Sequence, residues 1–158
     1  MRRLLYARPM ILVVGLGVVL LLVVLIGPGG CGPSSDPELQ LIQGQWVAVR
    51  VHQGNQVYSA EKVRQTGMRF AIEGNKVEMH WSGTSAGTVE VHPDLHPKGI
   101  DLVVTTPGKK TEHYSGIYEL NGDILKICFR GSGMPRPAEF KTTGADMGIM
   151  VILERQKP

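Results

Sequence analysis

The fold is indicated most clearly by residues 111–140, TEHYSGIYELNGDILKICFRGSGMPRPAEF. Two runs of alternating apolar and polar residues meet at Asn121-Gly122, a dipeptide that suits a tight turn because both residues tolerate positive φ. If these two residues form the centre of the turn, Leu120 faces Asp123 across it. The segment therefore predicts an antiparallel β-hairpin, followed by a loop rich in Gly and Pro.

The two faces of this hairpin differ in composition. Successive side chains of a strand point to opposite faces, so a period of two separates an inner set from an outer set. One face is apolar, with Tyr114, Tyr118, Leu120, Leu125, Ile127 and Phe129. The other is mixed, with Ser115, Ile117, Glu119, Ile124, Lys126 and Cys128. One buried face and one partly solvated face are typical of an antiparallel sheet.

The charge is distributed unevenly along the 158 residues. The formal net charge is +3, but Arg2, Arg3 and Arg8 precede residue 30, where no acidic residue lies. The remaining 14 of the 17 Lys and Arg residues match the 14 Asp and Glu residues, so the rest of the chain has no net charge. It therefore lacks the basic excess that nucleic-acid binding requires, and we expect no nucleic-acid partner.

The N-terminal segment has the composition of an export or anchoring signal. Residues 10–26 form an uncharged apolar run behind the three arginines. Positive residues before such a run keep the N-terminus in the cytoplasm and send the following chain across the membrane. We expect an apolar helix here, with residues 1–30 as a signal or membrane anchor and residues 31–39 as a flexible tether. The location expected for the rest of the chain is the cell envelope, outside the cytoplasmic membrane.

Cys31 is a candidate for lipid attachment. Small residues precede it and a flexible, Pro- and Ser-containing segment follows it, which resembles the end of a bacterial lipoprotein signal. Pro28 departs from that pattern, because a branched apolar residue is usual there. Two interpretations stay open: lipidation at Cys31, or an uncleaved single-pass anchor. The second cysteine, Cys128, is too distant to suggest a disulfide framework or a zinc site, and its position in a strand favours an inert half-buried thiol.

Residues 40–157 are expected to form one all-β domain. About eight short strands follow one another at spacings near ten residues, with turn residues between them. A short helix is suggested at residues 59–64, with Ser59 as its N-cap. Evenly spaced short strands favour a small antiparallel up-and-down barrel, which leaves no exposed sheet edge. The barrel interior is the candidate ligand-binding site, with Trp46, Phe70, Met79, Trp81, Leu102, Tyr114, Tyr118 and Phe129.

Several segments resemble a known family. Gly44-Gln45-Trp46 looks like the Gly-x-Trp signature of lipocalin-like barrels. The longer resemblance is to a family of uncharacterised secreted or membrane-anchored lipocalin-like domains, abundant in planctomycete-type bacteria. It rests on residues 41–46 (LIQGQW), 97–102 (PKGIDL), 116–129 (GIYELNGDILKICF) and 136–140 (RPAEF). The resemblance implies a barrel and export from the cytoplasm, and it implies no reaction.

Possible chemical sites are few. His92, Asp94 and His96 have a spacing that can hold a metal on a helix, but Pro93 and Pro97 favour a solvated loop, and we expect no metal site. No nucleophile elbow or paired base is visible, so we expect no catalytic residue and no cofactor.

Other polar residues favour structural roles. Arg136 and Glu139 lie in the Pro-rich loop, where an ion pair closing a barrel end or a partner contact is possible. Asp101 and Asp123 lie beside turns and are expected to cap backbone donors.

The sequence leaves three functions open. The first is a membrane-tethered module that binds a small apolar or amphipathic ligand inside the barrel. The second is a non-enzymatic module with a filled core that meets an envelope protein or the cell wall. The third is an enzyme, which the absence of any catalytic pattern disfavours. Fold resemblance does not choose among them, because one fold hosts many functions.

Overall fold

The computed structural model describes residues 36–81, 83–145 and 148–157. These residues form two short helices and nine strands. The helices are α1 (Pro37–Leu41) and α2 (Ala60–Thr66). The strands are β1 (Gly44–Gln53), β2 (Gln56–Val57), β3 (Arg69–Glu73), β4 (Lys76–His80), β5 (Thr84–His92), β6 (Gly99–Thr105), β7 (Thr111–Asn121), β8 (Ile124–Arg130) and β9 (Ile149–Arg155).

The strands form a closed antiparallel barrel. From β3 to β9 each strand pairs with the next one in sequence, β1 pairs with β3, and β9 pairs back with β1. Eight strands thus close the barrel, while the two-residue β2 only extends β1 as a hairpin. The prediction of an all-β, up-and-down barrel of about eight strands is confirmed. Closure leaves no long unpaired edge, which matters for a chain so rich in strand.

The predicted N-terminal apolar helix, the signal or anchor at residues 1–30 and Cys31 lie outside the described residues. Within the described residues, no helix has the length and apolar character needed to cross a bilayer. Helix α1 starts at Pro37, inside the segment expected to be a flexible tether. Among the described residues, the buried apolar side chains form one large core cluster inside the barrel and a smaller one on its outer wall.

The central hairpin exists with a different register. The pairs around the turn are Asn121 with Ile124 and Leu120 with Leu125, so the predicted pairing of Leu120 with Asp123 is wrong. Gly122 has φ +58° at the first of the two central turn positions, a place that favours Gly. Compared with the prediction, the two central turn residues are shifted by one position, and each residue of β7 pairs with a β8 residue two positions further along the chain. Each side chain therefore keeps its predicted face, and the predicted apolar face lies inside the barrel.

Strand β1 changes its inward parity. Trp46 and Ala48 are buried, and so is Val51, which has the opposite parity. The pairing with β9 shifts between Ala48 and Arg50, a β-bulge that inserts one extra residue. The bulge explains why apolar residues occupy both parities of this strand in the sequence.

The two ends of the barrel differ. The end that carries the β3–β4, β5–β6 and β7–β8 connections is covered by α1, and we call it the closed end. Asp36 caps α1 by accepting a hydrogen bond from the Glu38 amide at 2.9 Å, and Leu39 and Ile42 are buried against the barrel. The opposite end carries the β4–β5, β6–β7 and β8–β9 connections, and we call it the open end.

Helix α2 lies beside the open end. It confirms the helix predicted near residue 59, with Ser59 as N-cap accepting from the Lys62 amide and Gly67 in the left-handed C-cap conformation. Val63 is buried against the barrel core.

A long connection crosses the outer wall between β8 and β9. Residues 131–145, which we call the strap, cover Ile117, Cys128 and Met150 with the ring of Phe140. Thr142 donates to the Gly54 carbonyl at 2.7 Å, which ties the strap to the β1–β2 turn. The strap explains why β9 is apolar on both faces: Val151 points into the barrel and Met150 points under the strap.

Candidate functional site

The open end holds a cup in the barrel. Its cavity volume is about 260 Å³, and it reaches solvent between the β4–β5 and β6–β7 connections. The cup is lined by Gln53, Met79, Trp81, Gly83, Ser85, Val104, Thr106, Lys109, Glu112, Tyr114 and Ile149. At the other end of the barrel, α1 covers the core with Leu39 and Ile42, and a groove of about 400 Å³ lies beside it against Tyr118.

The floor of the cup is apolar and well packed. Val104 is buried, and Met79 and Ile149 pack against the main core from the open side. Tyr114 meets Phe129 edge to face, with ring centroids 5.3 Å apart and planes at 71°. Phe129 is buried beneath Tyr114, so this aromatic pair lies where the cup ends and the packed core begins.

The rim of the cup is polar. Ser85 and Thr106 share a hydrogen bond of 2.5 Å between their hydroxyl oxygens. The Tyr114 hydroxyl donates to Glu112 at 2.8 Å. Burial, with the hydrogen bond and charge of Glu112, raises the pKa of Tyr114 to about 12, so its hydroxyl stays protonated at neutral pH. The cup therefore has a mixed lining, with apolar side chains on its floor and polar side chains around its mouth.

The structure separates the eight predicted interior residues into two groups. Three of them line the cup: Met79, Trp81 and Tyr114. The other five are buried core side chains away from the cup: Trp46, Phe70, Leu102, Tyr118 and Phe129. The alternation of a strand predicts which side chains face the barrel interior. It does not predict how far from the barrel ends they lie or which end is covered, because the covering helix α1 was not indicated by the sequence pattern. The rim residues Ser85, Thr106, Lys109 and Glu112 were therefore missed.

Trp46 lies at the closed end of the barrel and does not line the cup. Its indole nitrogen donates to the Ile42 carbonyl at 2.9 Å, and the Arg155 guanidinium stacks 4.1 Å from the ring centre. Arg155 also donates to the carbonyls of Leu41, at 2.8 Å, and of Gln43. One arginine of the last strand thus joins the first strand and the segment that seals the end.

Tyr118 belongs to the same end. Burial raises the pKa of its hydroxyl, and the carboxylates of Glu38 and Asp36 add to the effect. This hydroxyl therefore remains protonated beneath α1.

The outer wall carries a charged cluster that sequence analysis did not assemble. His92 Nε2 lies 2.7 Å from Asp101 Oδ2, and Arg136 Nη2 donates to the same oxygen at 2.8 Å. Arg136 also donates to the carbonyls of Ile100, at 3.2 Å, and Gly116. Asp101 was expected to cap a turn, and it pairs instead with the strap, because β5 and β6 place it beside His92 and below Arg136.

Several forces act on the Asp101 carboxyl. Burial raises its pKa, but the hydrogen bonds from Arg136 and His92, the charge of Arg136 and the hydrogen bond of Ser115 outweigh burial and hold the pKa below the ordinary value of 3.8. The cluster is thus an ionic anchor of the strap on the wall, not at a barrel end. Glu139, the other predicted loop residue, is exposed and takes no part in this ion pair.

The remaining candidates have structural surroundings. His96 contacts the Asp94 carbonyl oxygen through Nδ1 at 3.1 Å, and His92 is held by Asp101. In the described ranges, no group of three or more His, Cys, Asp or Glu side chains is placed to hold a metal ion. Cys128 is buried under the strap, with Sγ 3.8 Å from the Lys141 carbonyl oxygen. Asp123 was also expected as a cap, and its carboxylate pairs with Lys157 at 3.1 Å and with Arg155 at 3.4 Å.

Comparison of the chain with protein-family models, curated proteins and solved structures finds no match.

Proposed function

We propose that this protein is a membrane-tethered binding module of the cell envelope, which holds a small apolar or amphipathic molecule in the cup of its barrel. The observation that carries the proposal is the asymmetry of the barrel. One end is sealed by α1 and filled by Trp46 and Tyr118, while the other opens onto an apolar floor.

The size of the cup limits the ligand. About 260 Å³ is at the lower bound of ordinary small-molecule pockets, roughly 300–1,000 Å³. The ligand is therefore small, or it leaves part of itself in solvent above the rim. An amphipathic molecule can place its apolar part against Met79, Val104 and Ile149 on the floor and its polar part among the polar side chains of the mouth.

The location is supported by the N-terminal sequence alone. The arginines, the apolar run at residues 10–26 and the small residues around Cys31 favour export with retention at the membrane. The resemblance to lipocalin-like exported domains points the same way. Whether Cys31 is lipidated is tested by metabolic labelling with a radioactive fatty acid. Label that is present in the natural protein and lost in Cys31→Ser shows lipidation, and unlabelled protein in the membrane fraction shows an uncleaved anchor.

The binding function is tested by native mass spectrometry. A chain of residues 32–158, which contains every strand and core residue, is purified gently from a membrane-containing source. We expect a bound mass that disappears on denaturation. Trp81→Ala removes a wall of the cup and is expected to change the amount of bound ligand.

A matched control removes an apolar side chain elsewhere. Ile124→Ala shortens an exposed isoleucine at the closed end, away from the cup, and should leave the bound mass unchanged. A bare protein mass in repeated preparations, with Trp81→Ala affecting only stability, would reject the binding function. It would favour the filled-core module that contacts an envelope protein or the cell wall.

A further inference from the structure

The two ends of the barrel have opposite charge. Among the described residues outside the strap, the open end carries six cations, namely Lys62, Arg64, Arg69, Lys109, Lys110 and Arg130. It carries two carboxylates, Glu61 and Glu112. The closed end has the reverse excess, with six carboxylates (Asp36, Glu38, Glu73, Asp94, Asp123 and Glu154) against four cations (Lys76, Lys98, Arg155 and Lys157). Although the chain after residue 30 has no net charge, its charges are unevenly distributed in space, and the end with the positive excess contains the cup.

Lys109 is the cation that lines the cup itself. It sits in the exposed β6–β7 connection, in a turn where its amide donates to the Thr106 carbonyl at 2.9 Å. In the described part of the chain, no carboxylate lies within ion-pair distance of its ammonium group. Glu112, the one acidic residue of the rim, accepts the Tyr114 hydroxyl. Lys109 and Glu112 therefore bring opposite charges to the rim without pairing with each other, and the cationic excess of this end comes from its other basic residues.

The hydroxyl groups of Ser85 and Thr106 at the rim can also donate a hydrogen bond to a ligand. Ser85 and Thr106 each have one hydroxyl proton, and their mutual contact uses one of the two. The other proton is free to point to an acceptor in the mouth. A cation and a donor beside an apolar floor are complementary to a molecule with an anionic head and an apolar chain.

We propose that the ligand of the cup is a single-chain amphiphile with an anionic head group. Its chain lies on Met79, Val104 and Ile149, and its head lies at the rim beside Lys109. This inference rests on the proposed binding function and adds the charge of the ligand to it. A carboxylate and a phosphate monoester share the required chemistry, so a free fatty acid and a lipid-derived phosphate are both members of the class.

The charge excess at the mouth also favours such a ligand at a distance. Like charges grouped around a cleft raise the local concentration of the opposite charge, and the effect weakens as salt screens it over roughly 8 to 10 Å. A neutral or cationic amphiphile of the same chain length gains nothing from this field. Head-group charge should therefore separate ligands that have identical chains.

The test measures binding of octanoate, octyl phosphate, octanol and octylamine to the chain of residues 32–158 by calorimetry at low and at high salt. We expect the two anions to bind at least about tenfold more tightly than octylamine at low salt, and the difference to shrink at high salt. Decanoate should bind more tightly than octanoate, by about fourfold for each methylene the cup still covers. The tighter of the two anions identifies the source of the head group.

Two rim variants give opposite signs. Lys109→Gln should weaken octanoate binding about threefold to tenfold, and Glu112→Gln should strengthen it by a similar factor, since each changes the charge at the mouth by one unit. The matched control is Lys76→Gln, an exposed lysine at the closed end, which should leave the affinity unchanged. None of these exposed side chains is part of the core, so folding is retained.

The outcomes separate the two proposals. Octanol or octylamine binding as tightly as octanoate would overturn the anionic head group and leave the binding function standing. Failure of all four compounds to bind would overturn both. Binding to vesicles that contain an anionic phospholipid, without binding of any free amphiphile, would also overturn the inference, because it would assign the basic end to a membrane surface.

Discussion

At the scale of single residues, Arg155 holds the barrel closed where the first and last strands meet. Its guanidinium stacks on Trp46 and donates to the carbonyls of Leu41, the last residue of α1, and of Gln43. A planar group with several donors in a fixed fork can satisfy all three partners at once, and an ammonium group cannot. The side chain therefore links sheet closure to the sealing of one end.

Replacing Arg155 with lysine tests this role. We expect Arg155→Lys to lower the free energy of unfolding by about 1 to 3 kcal/mol, because the stacking and the paired hydrogen bonds are lost while the charge is kept. Urea denaturation followed by circular dichroism measures the change. Arg64→Lys, on the exposed face of α2, is the matched control and should stay within about 0.5 kcal/mol of the natural protein. An equal effect of both changes would contradict the role of Arg155.

Asp101 is the second residue with a testable energetic role. Its carboxylate anchors the strap through Arg136 and His92, and its pKa is lowered in the folded protein. A lowered folded-state pKa stabilises the protein above the unfolded pKa of about 4, and the stabilisation is lost as the pH falls through the folded-state pKa. We expect Asp101→Asn to cost about 1 to 3 kcal/mol at pH 7, and less as the pH falls below about 4.

The measurement is urea unfolding at several pH values between 7 and 3. Asp94→Asn in the exposed β5–β6 loop is the control, and it should change neither the stability at pH 7 nor its pH dependence. A difference between Asp101→Asn and the natural protein that grows toward acid pH would have the wrong sign for this cluster.

At the scale of elements, β5 and β6 approach each other closely at Gly87. A Cβ atom at this position would lie 1.8 Å from the Val103 carbonyl oxygen and 2.8 Å from the Val104 Cα. Both are backbone atoms of the paired strand, so they cannot move aside as a flexible side chain does. Gly87 lies within β5, and the need for Gly follows from the close approach of β6 at this point.

We therefore expect Gly87→Ala to lower the free energy of unfolding by about 3 kcal/mol or more, or to prevent folding at 37 °C. Gly131→Ala is the matched control, because that position has ordinary backbone dihedrals and no atom within 4 Å of the added methyl group. Soluble yield and the urea midpoint provide the comparison. A Gly87→Ala protein as stable as the control would contradict a steric conflict between the added methyl group and the Val103 carbonyl.

At the scale of the whole molecule, the barrel is closed at one end and open at the other, and its two tryptophans report on the two ends. Trp46 is fully buried below Arg155, whereas Trp81 lines the cup and is partly exposed. Quenching of fluorescence by acrylamide should therefore come almost entirely from Trp81. The difference between the ends can be measured without knowledge of the ligand.

Trp81→Phe leaves Trp46 as the sole tryptophan. We expect the acrylamide quenching constant to fall at least threefold or so relative to the natural protein, with emission shifted to shorter wavelength, because a side chain without solvent contact is reached only through opening of the fold. Binding of octanoate should protect Trp81 in the natural protein and have no effect on the emission of Trp81→Phe. Strong quenching of Trp46 would mean that α1 does not seal its end.

Much of the architecture could be predicted because it depends on local pattern. The alternation in β7 and β8 predicted that Leu125, Ile127 and Phe129 face the interior, and they do. The one-residue shift of the turn did not change this, because the strand pairing shifted by two residues and a shift of two keeps every side chain on its face. The same alternation failed on β1, where the bulge at Ala48 changes the parity of Val51. Apolar residues on both parities of β1 are compatible with a bend, but the position of the bulge depends on how β1 bridges β3 and β9.

The sequence by itself determined the antiparallel strands, their inner faces, the helix capped by Ser59 and the apolar N-terminal run, because each depends on neighbouring residues. Only the tertiary structure decided which end is sealed, that Asp101 and Arg136 meet across 35 positions, and that Lys109 stands beside the cup. These features arise when strands distant in the chain pair in a fixed register and the sheet closes. The charges after residue 30, which sum to zero along the sequence, are separated in space by that closure.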